Sequence, residues 1–164
     1  MTDGVPVELV GVRIELPSNQ PIVLLKEVEG TRYLPIWIGA GEATAIAFAL
    51  EGVQPQRPLT HDLLKLSVEA LDAEVRRVVV TEMRDGIYYA DLVFSRNGEE
   101  ITVSSRPSDA IALAARTGSP IVVSPGVLEE AGVEMHDEEE EDEDEVARFR
   151  NFLDSVKPED FESA

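Results

Sequence analysis

Ala45-Ile46-Ala47-Phe48-Ala49-Leu50 recurs 65 residues later as Ala110-Ile111-Ala112-Leu113-Ala114-Ala115. Each copy follows three short apolar stretches separated by turn residues, so the repeat extends beyond two alanine-rich helices. It predicts a β-β-β-α unit, duplicated and fused. The fold class that follows is α+β, with duplicated units forming antiparallel sheet packed with helices and meeting along a pseudo-symmetric seam. Whatever differs between the copies is the place to look for specialised chemistry.

In the first copy Val5 to Glu15 reads as a strand, with Val7, Leu9, Gly11 and Arg13 on one face and Glu8, Val10, Val12 and Ile14 on the other. Pro17-Ser18-Asn19 breaks it, and strands over 21–28 and 31–38 follow around Glu29-Gly30. Gly39 and Gly41 bracket the entry to a helix over 42–51, closed by Gly52. In the second copy strands over 75–84, 87–95 and 101–104 are punctuated by Asp85-Gly86 and Asn97-Gly98. Both dipeptides suit type I′ hairpin turns, which predicts an antiparallel meander. Pro107 opens the second helix, Gly118 ends it, and residues 120–124 form a short final strand.

Two segments have no counterpart. Residues 53–71 hold Arg57-Pro58-Leu59-Thr60-His61-Asp62-Leu63-Leu64, with Thr60 as a cap and Leu63, Leu64, Ser67, Val68 and Leu71 as the inner face of a further helix. After residues 1–133, an acidic linker covers 134–145, including eight consecutive acids from Glu138 to Glu145. Residues 146–164 follow, where Val146, Phe149, Phe152, Leu153 and Val156 recur at amphipathic helical spacing and can dock on a protein partner.

The chain of 164 residues has no cysteine, so a disulfide framework, a thiolate metal site and a cysteine nucleophile are excluded. Its start lacks the basic and apolar segments of a signal peptide, and no apolar run suffices to span a bilayer, so the expected location is cytoplasmic, away from membranes. The net charge is −19: from Glu134 onward 14 acids face 3 bases, and residues 1–133 carry a net −8. Phosphate neutralisation by Lys and Arg supplies most non-specific nucleic-acid affinity. Any nucleic-acid binding is therefore expected to be weak, salt-sensitive and dependent on a local basic site or a bridging metal.

His61 and Asp62 stand out because the chain has only two histidines, the other being His136. The pair can supply metal or acid/base chemistry, or Thr60 can cap the helix while Asp62 favours its positive end. Adjacent helical residues point roughly 100° apart, so these two alone do not chelate one ion. Arg106-Pro107-Ser108-Asp109 opens the second repeat helix, where an arginine beside free N–H groups suits a phosphodiester; the plain alternative is capping by Ser108 and Asp109. Aligned on the repeated helix, Arg106 replaces Gly41, and Glu42 reads as a dipole partner. Arg57 is either a phosphate contact or the ion-pair partner of Asp62 or Glu51. Trp37 and Tyr33 alternate on a strand, as core or interface residues, and of Tyr88 and Tyr89 one faces in and one out.

The series Pro35-Ile36-Trp37-Ile38-Gly39, Glu42-Ala43, Arg57-Pro58-Leu59-Thr60-His61-Asp62-Leu63, Tyr88-Tyr89-Ala90 and Arg106-Pro107-Ser108-Asp109-Ala110-Ile111-Ala112-Leu113-Ala114 resembles the bifunctional nuclease family over about residues 5–125. It is similar to an actinobacterial-type member with an acidic tail appended. The resemblance implies an α+β fold of antiparallel strands, a homo-oligomer (a dimer in the simplest case), and hydrolysis of DNA and RNA without marked sequence preference, an activity attributed to plant members. It nominates Arg57, His61, Asp62, Arg106 and Asp109. In the nuclease scheme Asp62 or Asp109 binds Mg²⁺ or Mn²⁺, His61 is base or acid, and Arg106 or Arg57 stabilises the pentacoordinate phosphate. The alternative is a non-catalytic oligomeric module that recruits a protein through its tail. Convergence decides: a spread of more than about 12 Å among His61, Asp62, Arg106 and Asp109 makes one reaction centre untenable.

Overall fold

A computed structural model of the chain describes residues 4–135; the acidic run and the apolar stripe of residues 146–156 lie outside them. The first repeat is β1 (Val5–Glu15), β2 (Gln20–Glu27), β3 (Arg32–Trp37) and α1 (Ala40–Glu51), and the insertion supplies α2 (Thr60–Ala70). The second repeat is β4 (Glu74–Arg84), β5 (Ile87–Arg96), β6 (Glu99–Ser105) and α3 (Pro107–Thr117). Then come β7 (Ile121–Val123), α4 (Pro125–Ala131) and β8 (Val133–Glu134), so 121–123 is not the last strand. The fold is α+β.

All the strands join one eight-stranded sheet in the order β6-β5-β4-β7-β1-β2-β3-β8. The two meanders do not abut in it. β7 lies between them, antiparallel to β1 and parallel to β4, the sheet's parallel pair. Its Ile121 is in register with both Val7 and Val78, and its Val123 with Val5 and Val80. In the sheet β7 keeps the two meanders apart, and in the helix layer the repeats meet directly, where α1 touches α3. Ala43 to Phe48 are all buried, which a helix packed on several sides requires, and alanine lets the backbones approach. Sheet and helices enclose one core that includes Leu25, Leu34, Ile46, Ile111 and Leu113.

Turn chemistry acts as the sequence predicts. Asp85 and Gly86 take φ of 52° and 78°, and Asn97 and Gly98 take 51° and 80°, the paired positive angles of type I′ turns. The facing of β1 differs from simple alternation. A bulge between Leu9 and Gly11 inserts an extra residue, so Val7 and Val12 are both buried, with Leu9 and Ile14 packed beside them. Period-two reading fails at such a point because two residues oppose one.

Helix α2 also departs from expectation. Its N-cap is Leu59, placing Thr60 inside the first turn. None of its residues is buried, and Leu63 is 57% exposed. Ser67 and Leu71 are exposed as well, while Leu64 and Val68 are half-buried. The helix rests mainly on α3 and touches β4, so only a narrow stripe is covered. Tyr88 packs on the core, whereas the Tyr89 ring lies 5.0 Å from the Arg84 guanidinium carbon. Trp37 is outside the core, its exposed ring donating an Nε1 hydrogen bond to Glu15 at 2.6 Å.

Candidate active site

Three helices begin at one cleft. The first turn of α1 contributes Gly41 and Glu42, that of α2 Thr60 and His61, and that of α3 Asp109, with the N-caps Leu59 and Arg106 beside them. None of the three N-caps makes a side-chain capping bond. Each helix instead carries an acid at its third position: Glu42, Asp62 and Asp109. Unpaired N–H groups and aligned peptide dipoles favour negative charge at such ends.

The polar side chains form a connected chain. Asp109 Oδ1 lies 2.9 Å from His61 Nε2. Its other oxygen accepts from Arg106 Nε at 2.9 Å, and Arg106 Nη2 reaches Glu42 Oε1 at 2.8 Å. His61, Asp109, Arg106 and Glu42 thus lie in hydrogen-bond sequence. His61 is almost enclosed, its side chain 11% exposed, whereas that of Arg106 is 65% exposed. A carboxylate accepts from a ring N–H, so Asp109 is the acceptor and His61 Nε2 the donor of this bond. Asp109 first, then Glu42, holds the Arg106 guanidinium more firmly protonated than a free arginine.

Asp62 turns to another task. Its Oδ1 accepts from Arg116 Nε at 2.7 Å and its Oδ2 from the Leu59 N–H at 3.0 Å. Arg116, only 7% exposed, also donates to the Ala112 carbonyl at 3.0 Å. This pair fastens the start of α2 to the end of α3. Arg57 lines the cleft from the loop over residues 52–59 and has no ion pair or hydrogen bond among the described residues, so neither Asp62 nor Glu51 is its partner.

The donor set does not fit a preformed divalent-cation site. All four oxygens of Asp62 and Asp109 have partners, and the Arg106 guanidinium stands between Asp109 and Glu42. Among the described residues no group of three or more His, Asp or Glu side chains is arranged to hold a metal ion.

Glu42 joins the site although the repeat alignment reads it only as a dipole partner. Registered by helix starts, Arg106 matches Gly39 and Asp109 matches Glu42. The Ala-Ile-Ala motif sits two residues deeper in α1 than in α3, so alignment on the motif paired Arg106 with Gly41 and hid the equivalence. An acid in the first turn of both repeat helices was the available signal. Arg116 left a weaker one, a base in the last turn of α3, where the helix dipole alone would explain it.

The cleft, about 1100 Å³, continues from this polar end along α1 and the residue 53–58 loop, over Ala45 and Phe48. No helix among the described residues is long and apolar enough to cross a membrane. An uncharacterized protein of Mycobacterium tuberculosis strain H37Rv is 50% identical over 163 residues, covering 96% of this chain and 98% of its own length. Bifunctional nuclease 1 of Arabidopsis thaliana is 35% identical over 111 residues, 65% of this chain and 34% of that protein. Bifunctional nuclease from Oryza minuta is 31% identical over 120 residues, 71% of this chain and 36% of its own length. Residues 23–136 match the family model of the bifunctional nuclease domain, and on that match the chain belongs to the bifunctional nuclease family.

Proposed function

We infer that the chain is a phosphodiesterase acting on nucleic acid, with its reaction centre at the meeting of α1, α2 and α3. The observation that carries this reading is the hydrogen-bonded chain His61–Asp109–Arg106–Glu42 at three converging helix starts. Family membership supports a nucleic-acid substrate. Helix N-termini attract the phosphate, and Arg57 and Arg106 neutralise its charge as the pentacoordinate state forms. Arg106 is exposed enough to turn from Glu42 toward a phosphate without leaving Asp109. Asp109 orients the His61 ring so that Nδ1 takes the proton of the attacking water. The water oxygen bonds to phosphorus, the bond to the leaving sugar oxygen breaks, and that oxygen takes a proton from bulk water.

The test is hydrolysis of DNA and RNA by the purified full chain with Mg²⁺, with Mn²⁺ and with EDTA. His61→Ala and Arg106→Ala are expected to lower the rate by about 10²-fold or more each. Rates unchanged in both variants would overturn the assignment. Either ion proving essential would show that it enters with the substrate phosphate and not at a site preformed by these side chains. A second reading, a non-catalytic homo-oligomeric module, is favoured by the exposed Leu63, Leu66 and Leu71 of the α2 region. It takes precedence if no strand is hydrolysed under any of these conditions.

A further inference from the structure

The polar chain occupies one end of the cleft, and a phosphate would fill only that end. At about 1100 Å³ the whole cleft reaches the upper size of pockets that enclose entire small molecules. Away from the acids its lining changes character. Phe48, largely buried, lines it there together with Val53, Gln54, Pro55 and Gln56 of the loop from α1 to α2, with Arg57 following. Two prolines, Pro55 and Pro58, stiffen this loop. The second repeat has no equivalent wall, because α3 passes through Gly118, Ser119 and Pro120 straight into β7. The unrepeated segment therefore builds the part of the cleft that phosphate chemistry leaves unused.

We propose that this wall receives an unpaired nucleobase next to the scissile phosphate, making single-stranded DNA and RNA the substrate class. The inference rests on the phosphodiesterase reading of the same site. Apolar side chains suit the faces of a base, which all four bases possess. A glutamine amide both donates and accepts, so it can meet the polar edge of any base without fixing a sequence. In a duplex those edges are paired and stacked, and a base reaches the wall only after it is pulled from the stack. A single strand spares that cost.

Binding of fluorescein-labelled, phosphorothioate-linked oligonucleotides to the full chain, followed by fluorescence anisotropy, tests the inference separately from catalysis. A short single strand is expected to bind about tenfold or more tightly than the blunt duplex of the same sequence. The triple variant Val53→Ser, Gln54→Ala, Gln56→Ala changes exposed loop residues, and its melting temperature verifies the fold. It is expected to lower single-strand affinity to the duplex level while moving duplex affinity less than about twofold. Duplex bound as tightly as single strand, or both weakened equally by the variant, overturns the inference and leaves the phosphodiesterase reading standing. No binding of either form overturns both. Single-strand preference without hydrolysis of ordinary phosphodiester strands overturns the catalytic reading and the substrate class with it, and leaves the wall as a site that binds bases.

Discussion

Asp62 and Asp109 are both third residues of helices, yet their partners assign them opposite work. Asp62 faces Arg116, 7% exposed, and caps Leu59, while Asp109 faces His61 and the 65% exposed Arg106. An ion pair that water reaches contributes little to stability, whereas stranding an enclosed guanidinium is costly. Asp62→Ala is therefore expected to destabilise the protein by about 2 kcal/mol, less than a fully buried pair because Asp62 retains some solvent. Arg106→Ala should cost under about 1 kcal/mol while removing activity. Urea denaturation of both variants beside the wild type checks this, and equal losses would show that Arg106 also holds the fold. The sequence nominated His61, Arg106 and Asp109 together, but not Arg116. Its partner lies 54 positions away and no local pattern records it.

Among the elements, α1 is the one whose ends matter most to the site. Its N-terminus holds Glu42, and its C-terminus turns into the 53–58 loop through Gly52, at φ 69°. There the Gly52 N–H bonds to Ala49 and the Val53 N–H to Phe48, closing the last carbonyls. A Cβ at Gly52 would meet no neighbouring atom, so the cost of a side chain is purely conformational. Gly52→Ala is expected to destabilise by about 1 kcal/mol, read from the shift of the denaturation midpoint. A stabilising effect would contradict the left-handed cap. This cap was legible from a glycine ending an apolar periodic run. The register of α1 against α3 was not, because the repeated motif sits at different depths in the two helices.

For the whole molecule, charge sets the terms of binding. A chain of net −19 repels nucleic acid at long range, so attraction comes from local cations at the cleft. Two phosphate contacts, through Arg57 and Arg106, predict a slope of about −1.4 in log affinity against log salt for single strands. Anisotropy titrations between low and moderate salt measure it directly. A slope steeper than about −4 would mean that a broader basic surface is engaged. Truncation after residue 135 is expected to leave the fold intact, since the described residues hold a core of their own around Leu25, Leu34, Ile46, Ile111 and Leu113. A melting temperature within a few degrees of the full chain is the check.

The repeated alanine helix, the hairpin dipeptides and the glycine caps determined the α+β class and the two meanders. They could do so because turns, caps and periodicity are settled by residues only a few positions apart. Tertiary structure alone decided that β7 separates the meanders, that a bulge reorients β1, and that Glu42 joins the site. His61 and Asp109 are 48 positions apart, and Arg106 and Glu42 are 64. Contacts over such separations depend on how whole helices pack on a sheet, and that packing brings three helix starts to one cleft.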